Sequence, residues 1–146
     1  FWALGFHQGS LQYNKTADLI DTVEGYLKNG YMFDTIWTDI MYMFNYIDFT
    51  VDPIRFSEAK AYIVATLQHG NRHVVSILNS GISLFPTDKG LDLYKLGNEK
   101  DVFIKSTKFP LEKDGNLIAI VRPGLTAFVD FFADKAFDFW SQGLDA

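Results

Sequence analysis

Asp39 lies in the run Phe33-Asp34-Thr35-Ile36-Trp37-Thr38-Asp39-Ile40-Met41-Tyr42-Met43, at the carboxyl end of an apolar stretch that reads as a buried strand. A carboxylate in that position accepts hydrogen bonds from two donors at once, and its charge makes each stronger than a neutral bond. In parallel α/β folds ligands bind at the carboxyl ends of strands, where the βα loops open. His7, after Phe1 to Phe6, and Asn79, after His73 to Leu78, occupy comparable places. An imidazole there is the right type for a general base, although at a strand end it more often satisfies backbone groups. The ordinary alternative for Asp39 is a helix cap or a loop ion pair. Asp34 precedes its strand, on the opposite rim, and is assigned no chemistry. His69 and His73 flank Gly70 without a third ligand, so neither a metal site nor a cofactor is expected.

The elements that must position these groups follow from periodicity. Phe1 to Phe6 predicts a strand ended by the polar turn His7-Gln8-Gly9-Ser10. From Thr16, the residues Leu19, Ile20, Val23, Tyr26 and Leu27 keep the spacing of an amphipathic helix, capped by Asn14 or Thr16 and stopped at Asn29-Gly30. Thr35 to Ile40 predicts a second strand. Ser57 then caps a second helix carrying Ala61, Ile63, Val64 and Leu67 to Gly70, and His73 to Leu78 forms a third strand. The order β-α-β-α-β implies parallel strands joined by right-handed crossovers, which gather His7, Asp39 and Asn79 at one end. Asp101 to Ser106 and Leu117 to Val121 predict a hairpin around Lys113-Asp114-Gly115-Asn116, broken at Pro123-Gly124. Asp134 to Leu144 predicts a closing helix with Ala136, Phe137, Trp140 and Leu144 as its apolar stripe.

The fold class is therefore α/β, either a doubly wound sheet or an incomplete (β/α)8 TIM barrel. The first turn, Gly5-Phe6-His7-Gln8-Gly9-Ser10, has neither G-x-G-x-x-G nor a Walker lysine, which disfavours a nucleotide-binding sheet. A complete barrel needs about 250 residues. The favoured reading is the first three βα units with a β-hairpin insertion after the third strand, residues 1–146 forming the N-terminal portion of a barrel. The chain has 146 residues, 48% of them hydrophobic and 16% aromatic, ample for a globular core. A net charge of −5 argues against nucleic acid or an anionic membrane surface as partner. With no cysteine, disulfides and thiolate chemistry are excluded. No apolar run approaches the roughly 20 residues that span a bilayer.

The motifs carry a more specific signal. Trp2-Ala3-Leu4-Gly5-Phe6-His7-Gln8 resembles the W-x-L-G-F-H/Q opening of the catalytic barrel in family 31 glycoside hydrolases, the α-glucosidases. The Asp39 run with Asp48-Phe49-Thr50 is similar to their D-V-x-W-x-D-I-D-Y-M…D-F-T segment. Asp101-Val102-Phe103-Ile104-Lys105 is similar to D-V-F-I-K, and Val121-Arg122-Pro123-Gly124-Leu125-Thr126-Ala127-Phe128-Val129-Asp130-Phe131 to V-W-P-G-x-T-A-F-P-D-F. The four matches run in family order across the chain.

This resemblance implies a retaining α-glucosidase acting on α-glucoside oligosaccharides through two carboxyls about 5 Å apart. It places neither catalytic carboxylate in this chain, since both family motifs should lie beyond Ala146, and it implies the remainder of the barrel as a partner. Asp39 matches the aspartate that accepts hydroxyls of the terminal glucose, and Ile40 and Ile82 match apolar walls of that pocket. A secretory, lysosomal or extracellular setting is suggested by resemblance alone, and Asn14-Lys15-Thr16 is a glycosylation sequon. The chain departs from the family where Gly9-Ser10-Leu11-Gln12-Tyr13 stands for C-R-W-G-Y, Met41 for an acid, Asn79-Ser80-Gly81-Ile82 for D-P-A-I, Arg122 for a tryptophan and Val129 for a proline. These changes keep open a non-catalytic relative that binds carbohydrate or a partner. Trp37, Tyr42 and Phe44 could stack on sugar faces, although for Trp37, in mid-strand, a core position is the stronger reading. Arg122 could recruit an anionic group or make a surface salt bridge.

Overall fold

The computed structural model describes residues 1–58, 72–86, 91–108 and 111–145, and the chain divides into two compact units. One unit comprises Phe1–Phe44 with Val51–Leu78, the other Asn45–Thr50 with Asn79–Ala146.

In the first unit, β1 (His7–Gln8), β2 (Thr35–Thr38) and β3 (His73–Ser76) form a parallel sheet in the order β1-β2-β3. His7 pairs with Thr35, and Thr35 to Thr38 run beside His73 to Ser76. Helix α1 (Thr16–Lys28) supplies the connection from β1 to β2 and turns Leu19 and Val23, one helical turn apart, into the core with Phe33, Ile36 and Phe56. The predicted helix after Ser57 falls largely on residues 59–71, outside the described residues. Neither Asn14 nor Thr16 caps α1. Instead the Asp18 carboxylate reaches back to accept the Asn14 N–H at 2.8 Å, a first-turn acid that also suits the helix dipole. The other end is as expected: Asn29 closes the helix and Gly30, at φ 73°, takes the left-handed position.

The first predicted strand is displaced. Trp2–Leu4 is a 3-10 turn and pairing begins only at His7. The reason lies in Asp34, whose Oδ2 accepts the Phe6 N–H at 2.9 Å. The chain passes this carboxylate so closely that a Cβ on Gly5 would sit 2.2 Å from it, so only glycine fits. β2 ends at Thr38 rather than Ile40, because the Asp39 side chain starts a 3-10 turn, Ile40–Tyr42.

The second unit is built on a four-stranded antiparallel sheet, β4 (Gly81–Ser83), β5 (Glu112–Lys113), β6 (Asn116–Val121) and β7 (Gly124–Phe128), in the order β4-β7-β6-β5. The predicted hairpin is corrected here. The strand facing Asn116–Val121 across Asp114-Gly115 is Glu112–Lys113, and both turn residues have positive φ, 56° and 80°, as a tight hairpin requires. Asp101 to Ser106 makes only isolated bridges, Phe103 to Val129 and Lys105 to Asn116. Arg122-Pro123 is not a break but the loop of a second hairpin, with Val121 opposite Gly124.

Two helices pack on this sheet's core, which includes Ile82, Val102, Phe103, Ile118, Ala127 and Phe139. Helix α2 (Leu93–Lys100) was not predicted; Asp92 caps it by accepting the Lys95 N–H at 3.0 Å. Gly97 on α2 lies against the Phe103 ring, where a Cβ would fall 2.2 Å from a ring carbon. Gly97→Ala is expected to destabilise the fold by about 1–3 kcal/mol through overpacking. A urea titration with an unchanged midpoint would contradict this. Helix α3 (Ala136–Asp145) buries Ala136, Phe139 and Gly143, while Phe137 and Leu144 of the predicted stripe are exposed. An ion pair between Lys100 and Asp138 ties α2 to α3.

Candidate functional site

In the first unit a cavity of about 420 Å3 opens beside the β1-β2 pair, lined by His7, Gln8, Gly9, Ser10, Leu11, Trp37, Thr38, Asp39 and Ile77. Asp39 lines it with Trp37, two residues earlier on an extended chain and so on the same face, while Ile36, the residue before Trp37, turns into the core. Its Oδ1 accepts the Ile40 N–H at 2.7 Å, so the residue is a cap. Its other oxygen has no protein donor among the described residues, and that leaves an acceptor for a ligand. Both readings of Asp39, cap and ligand acceptor, are compatible in one side chain. Ile40 itself is buried and does not line the cavity.

His7 sits within β1, level with Thr35, rather than on the rim beside Asp39. Its Nδ1 accepts the Trp37 indole N–H at 2.9 Å, which leaves the proton on Nε2, facing the Trp2 carbonyl at 3.1 Å. Both ring nitrogens are thus engaged, and the imidazole holds structure rather than offering a free base. Gln8 is fixed as well, donating to the Tyr13 hydroxyl at 2.9 Å and accepting from Tyr26 at 3.0 Å. Thr38 donates to the Ser76 hydroxyl at 2.8 Å across β2 and β3. The result is one carboxylate and one indole on a firmly hydrogen-bonded floor. Such a site suits a neutral, many-hydroxylated ligand with an apolar face. Among the described residues, Asp39 is the one carboxylate that lines the cavity.

In the second unit Ile82 is 1% exposed, on β4 opposite Ala127, and belongs to the core. A smaller cavity of about 150 Å3 is lined by Asn79, Ser80, Gly81, Val121, Arg122, Pro123 and Phe128. Arg122 is exposed, with no ion-pair partner among the described residues.

Asp48 was missed as a candidate, since it reads as an ordinary turn residue. It is 1% exposed, within a turn where Asn45, Tyr46 and Phe49 all have positive φ. Its Oδ1 accepts the Asn79 N–H at 2.8 Å, while Oδ2 has no hydrogen-bond partner among the described residues. Burial pushes its carboxyl up from the usual 3.8 to about 6, opposed by the Asn79 backbone N–H and then by the Asn79 side chain. The one sequence signal was its place in the Asp48-Phe49-Thr50 match. Among the described residues no His, Cys, Asp or Glu cluster could hold a metal ion, and no helix is long and apolar enough to cross a membrane.

The family model described as the glycosyl hydrolases family 31 TIM-barrel domain matches residues 1–146. Similar proteins include glucoamylase 1 of Candida albicans, 37% identical over 97% of this chain and 15% of its own length. The lysosomal acid α-glucosidase of Tetrahymena pyriformis is 36% identical over 99% of this chain and 15% of its own length. Among solved structures, the glucosidase II α subunit bound to α3-Glc2 superposes with a TM-score of 0.82 at 25% identity, over 95% of this chain and 14% of that one. The family 31 α-glucosidase of Bacteroides thetaiotaomicron gives 0.70 at 30% identity, over 95% of this chain and 22% of that one. The chain thus spans about a seventh of the length of the curated relatives named here. Its mixed sheets and helices, its motifs and its full-length match agree, and the chain belongs to the family 31 glycoside hydrolases as a TIM-barrel domain sequence.

Proposed function

We propose that the protein carrying this chain is a retaining α-glucosidase that removes terminal α-linked glucose from oligosaccharides. In this reading the chain supplies a substrate contact at Asp39, with buried Ile40 packed behind it, while the nucleophile and the acid/base come from other parts of the barrel. The observation that carries it is the unpartnered Asp39 oxygen in the cavity beside Trp37. A carboxylate that accepts two sugar hydroxyls fixes the ring's position and so presents the anomeric carbon to groups held elsewhere. That its relatives are α-glucosidases and a glucoamylase supports this substrate class. The parallel β1-β2-β3 sheet supports reading the first unit as the start of a (β/α)8 barrel, with the antiparallel sheet as an excursion after β3.

A second reading, a relative that binds carbohydrate or a protein partner without cleaving it, is favoured by Arg122 standing where the resemblance expects a pocket tryptophan. Hydrolysis of p-nitrophenyl α-D-glucopyranoside, with the β-anomer as control, separates the two. Release of nitrophenol from the α-anomer alone is expected. Binding of maltose with no turnover of the α-anomer would favour the second reading instead.

A further inference from the structure

Trp37 breaks the burial pattern of its own strand. Thr35 and Ile36 are fully buried and Thr38 is 4% exposed, yet Trp37, the largest side chain of β2, is 40% exposed and lines the cavity with Asp39. A large ring left open on a strand is held in place here by specific contacts. Its indole N–H is committed to His7 Nδ1 at 2.9 Å, with the two rings edge to face at 68°. The His7 ring is anchored in turn through Nε2 at the Trp2 carbonyl. Trp2 itself stacks on His73 of β3, with centroids 3.9 Å apart. On the other side Gly9 leaves no room for a side chain, since its Cβ would fall 2.9 Å from the Trp37 Cβ.

The edge of the indole is therefore consumed by protein, and its apolar surface borders the cavity. Pyranose rings present C–H faces that pack on aromatic surface, and a fixed ring gives that contact without an ordering cost. Resting on the proposed function, we infer that Trp37 is a sugar-contacting platform of this site and that His7 is its positioning residue. His7 acts by accepting a hydrogen bond from the indole N–H at Nδ1, while Nε2 holds the ring at the Trp2 carbonyl.

The test uses the protein with its tryptophans replaced by 5-fluorotryptophan, and maltose as the probe. The Trp37 fluorine signal is assigned by its loss in Trp37→Leu. Maltose is expected to shift the Trp37 signal, and cellobiose to leave it in place. Trp37→Leu is expected to weaken maltose binding about tenfold. His7→Ala should weaken it similarly. His7→Asn, whose Oδ1 falls where Nδ1 lies, should restore it, and His7→Gln, which offers no acceptor there, should not. A saturable maltose isotherm with an unmoved Trp37 signal, or with Trp37→Leu binding as tightly as wild type, overturns the inference and leaves the proposed function standing. An absence of maltose binding overturns both. Should Trp37→Leu fail to fold, the wild-type signal, then assigned by Trp37→Phe, decides alone.

Discussion

Replacing Asp39 by asparagine is expected to lower kcat/KM for a chromogenic α-glucoside by about two orders of magnitude, and by alanine about three. Each hydrogen bond from a sugar hydroxyl to a charged acceptor contributes roughly 1.5–3 kcal/mol. Asparagine keeps an oxygen for the Ile40 N–H, so the 3-10 turn that follows β2 survives, but it turns an NH2 toward the ligand where an acceptor stood. Alanine removes both, and loss of the cap adds a stability cost of about 1 kcal/mol. The asparagine variant therefore separates ligand recognition from folding. Steady-state kinetics decide the matter: an unchanged kcat/KM in a well-folded Asp39→Asn protein would remove Asp39 from the sugar site.

The second large effect concerns stability. Asp48 has a native carboxyl raised to about 6 against 3.8 for the free group, so the folded state holds a proton that the unfolded chain releases. Its contribution is complete below pH 3.8 and is lost as pH rises through 6, a swing of about 3 kcal/mol between acid and neutral solution. Asp48→Asn keeps an acceptor for the Asn79 N–H and cannot ionise. The variant is expected to match wild type near pH 4 and to exceed it by up to about 3 kcal/mol at pH 8. Urea denaturation across that range measures this. A wild type with flat stability, or a variant weaker than wild type at pH 8, would contradict it.

Legibility followed the locality of the interactions. Helix α1 was readable to within a residue because its apolar spacing and its Asn29-Gly30 stop are local signals. Its cap was not, because Asp18 reaches backward to Asn14 from inside the helix. β1 was misplaced by an interaction 28 residues away, the Asp34 carboxylate on the Phe6 N–H. The antiparallel sheet was half-read. The Asp114-Gly115 turn was visible, but β4 is three residues long and its partner β7 lies beyond two intervening strands. At the site, the position of Asp39 at a strand end was legible, and so was the polar sequence His7-Gln8 near it. The bond between His7 and Trp37 was not, since it spans 30 residues and depends on strand register. The burial of Asp48 was not legible for a related reason: it comes with a turn whose Asn45, Tyr46 and Phe49 take left-handed backbone.

The outermost strand of the second unit's sheet has a bearing on life at high concentration. β5 is two residues long, Glu112 and Lys113, both exposed. A growing sheet recruits neighbours through unpaired backbone on long, flat margins, and a margin this short offers little purchase. Its opposite charges add a solvation shell that an incoming strand would have to strip away. Substituting both charges with valine should therefore shorten the lag before turbidity in a concentrated, stirred solution.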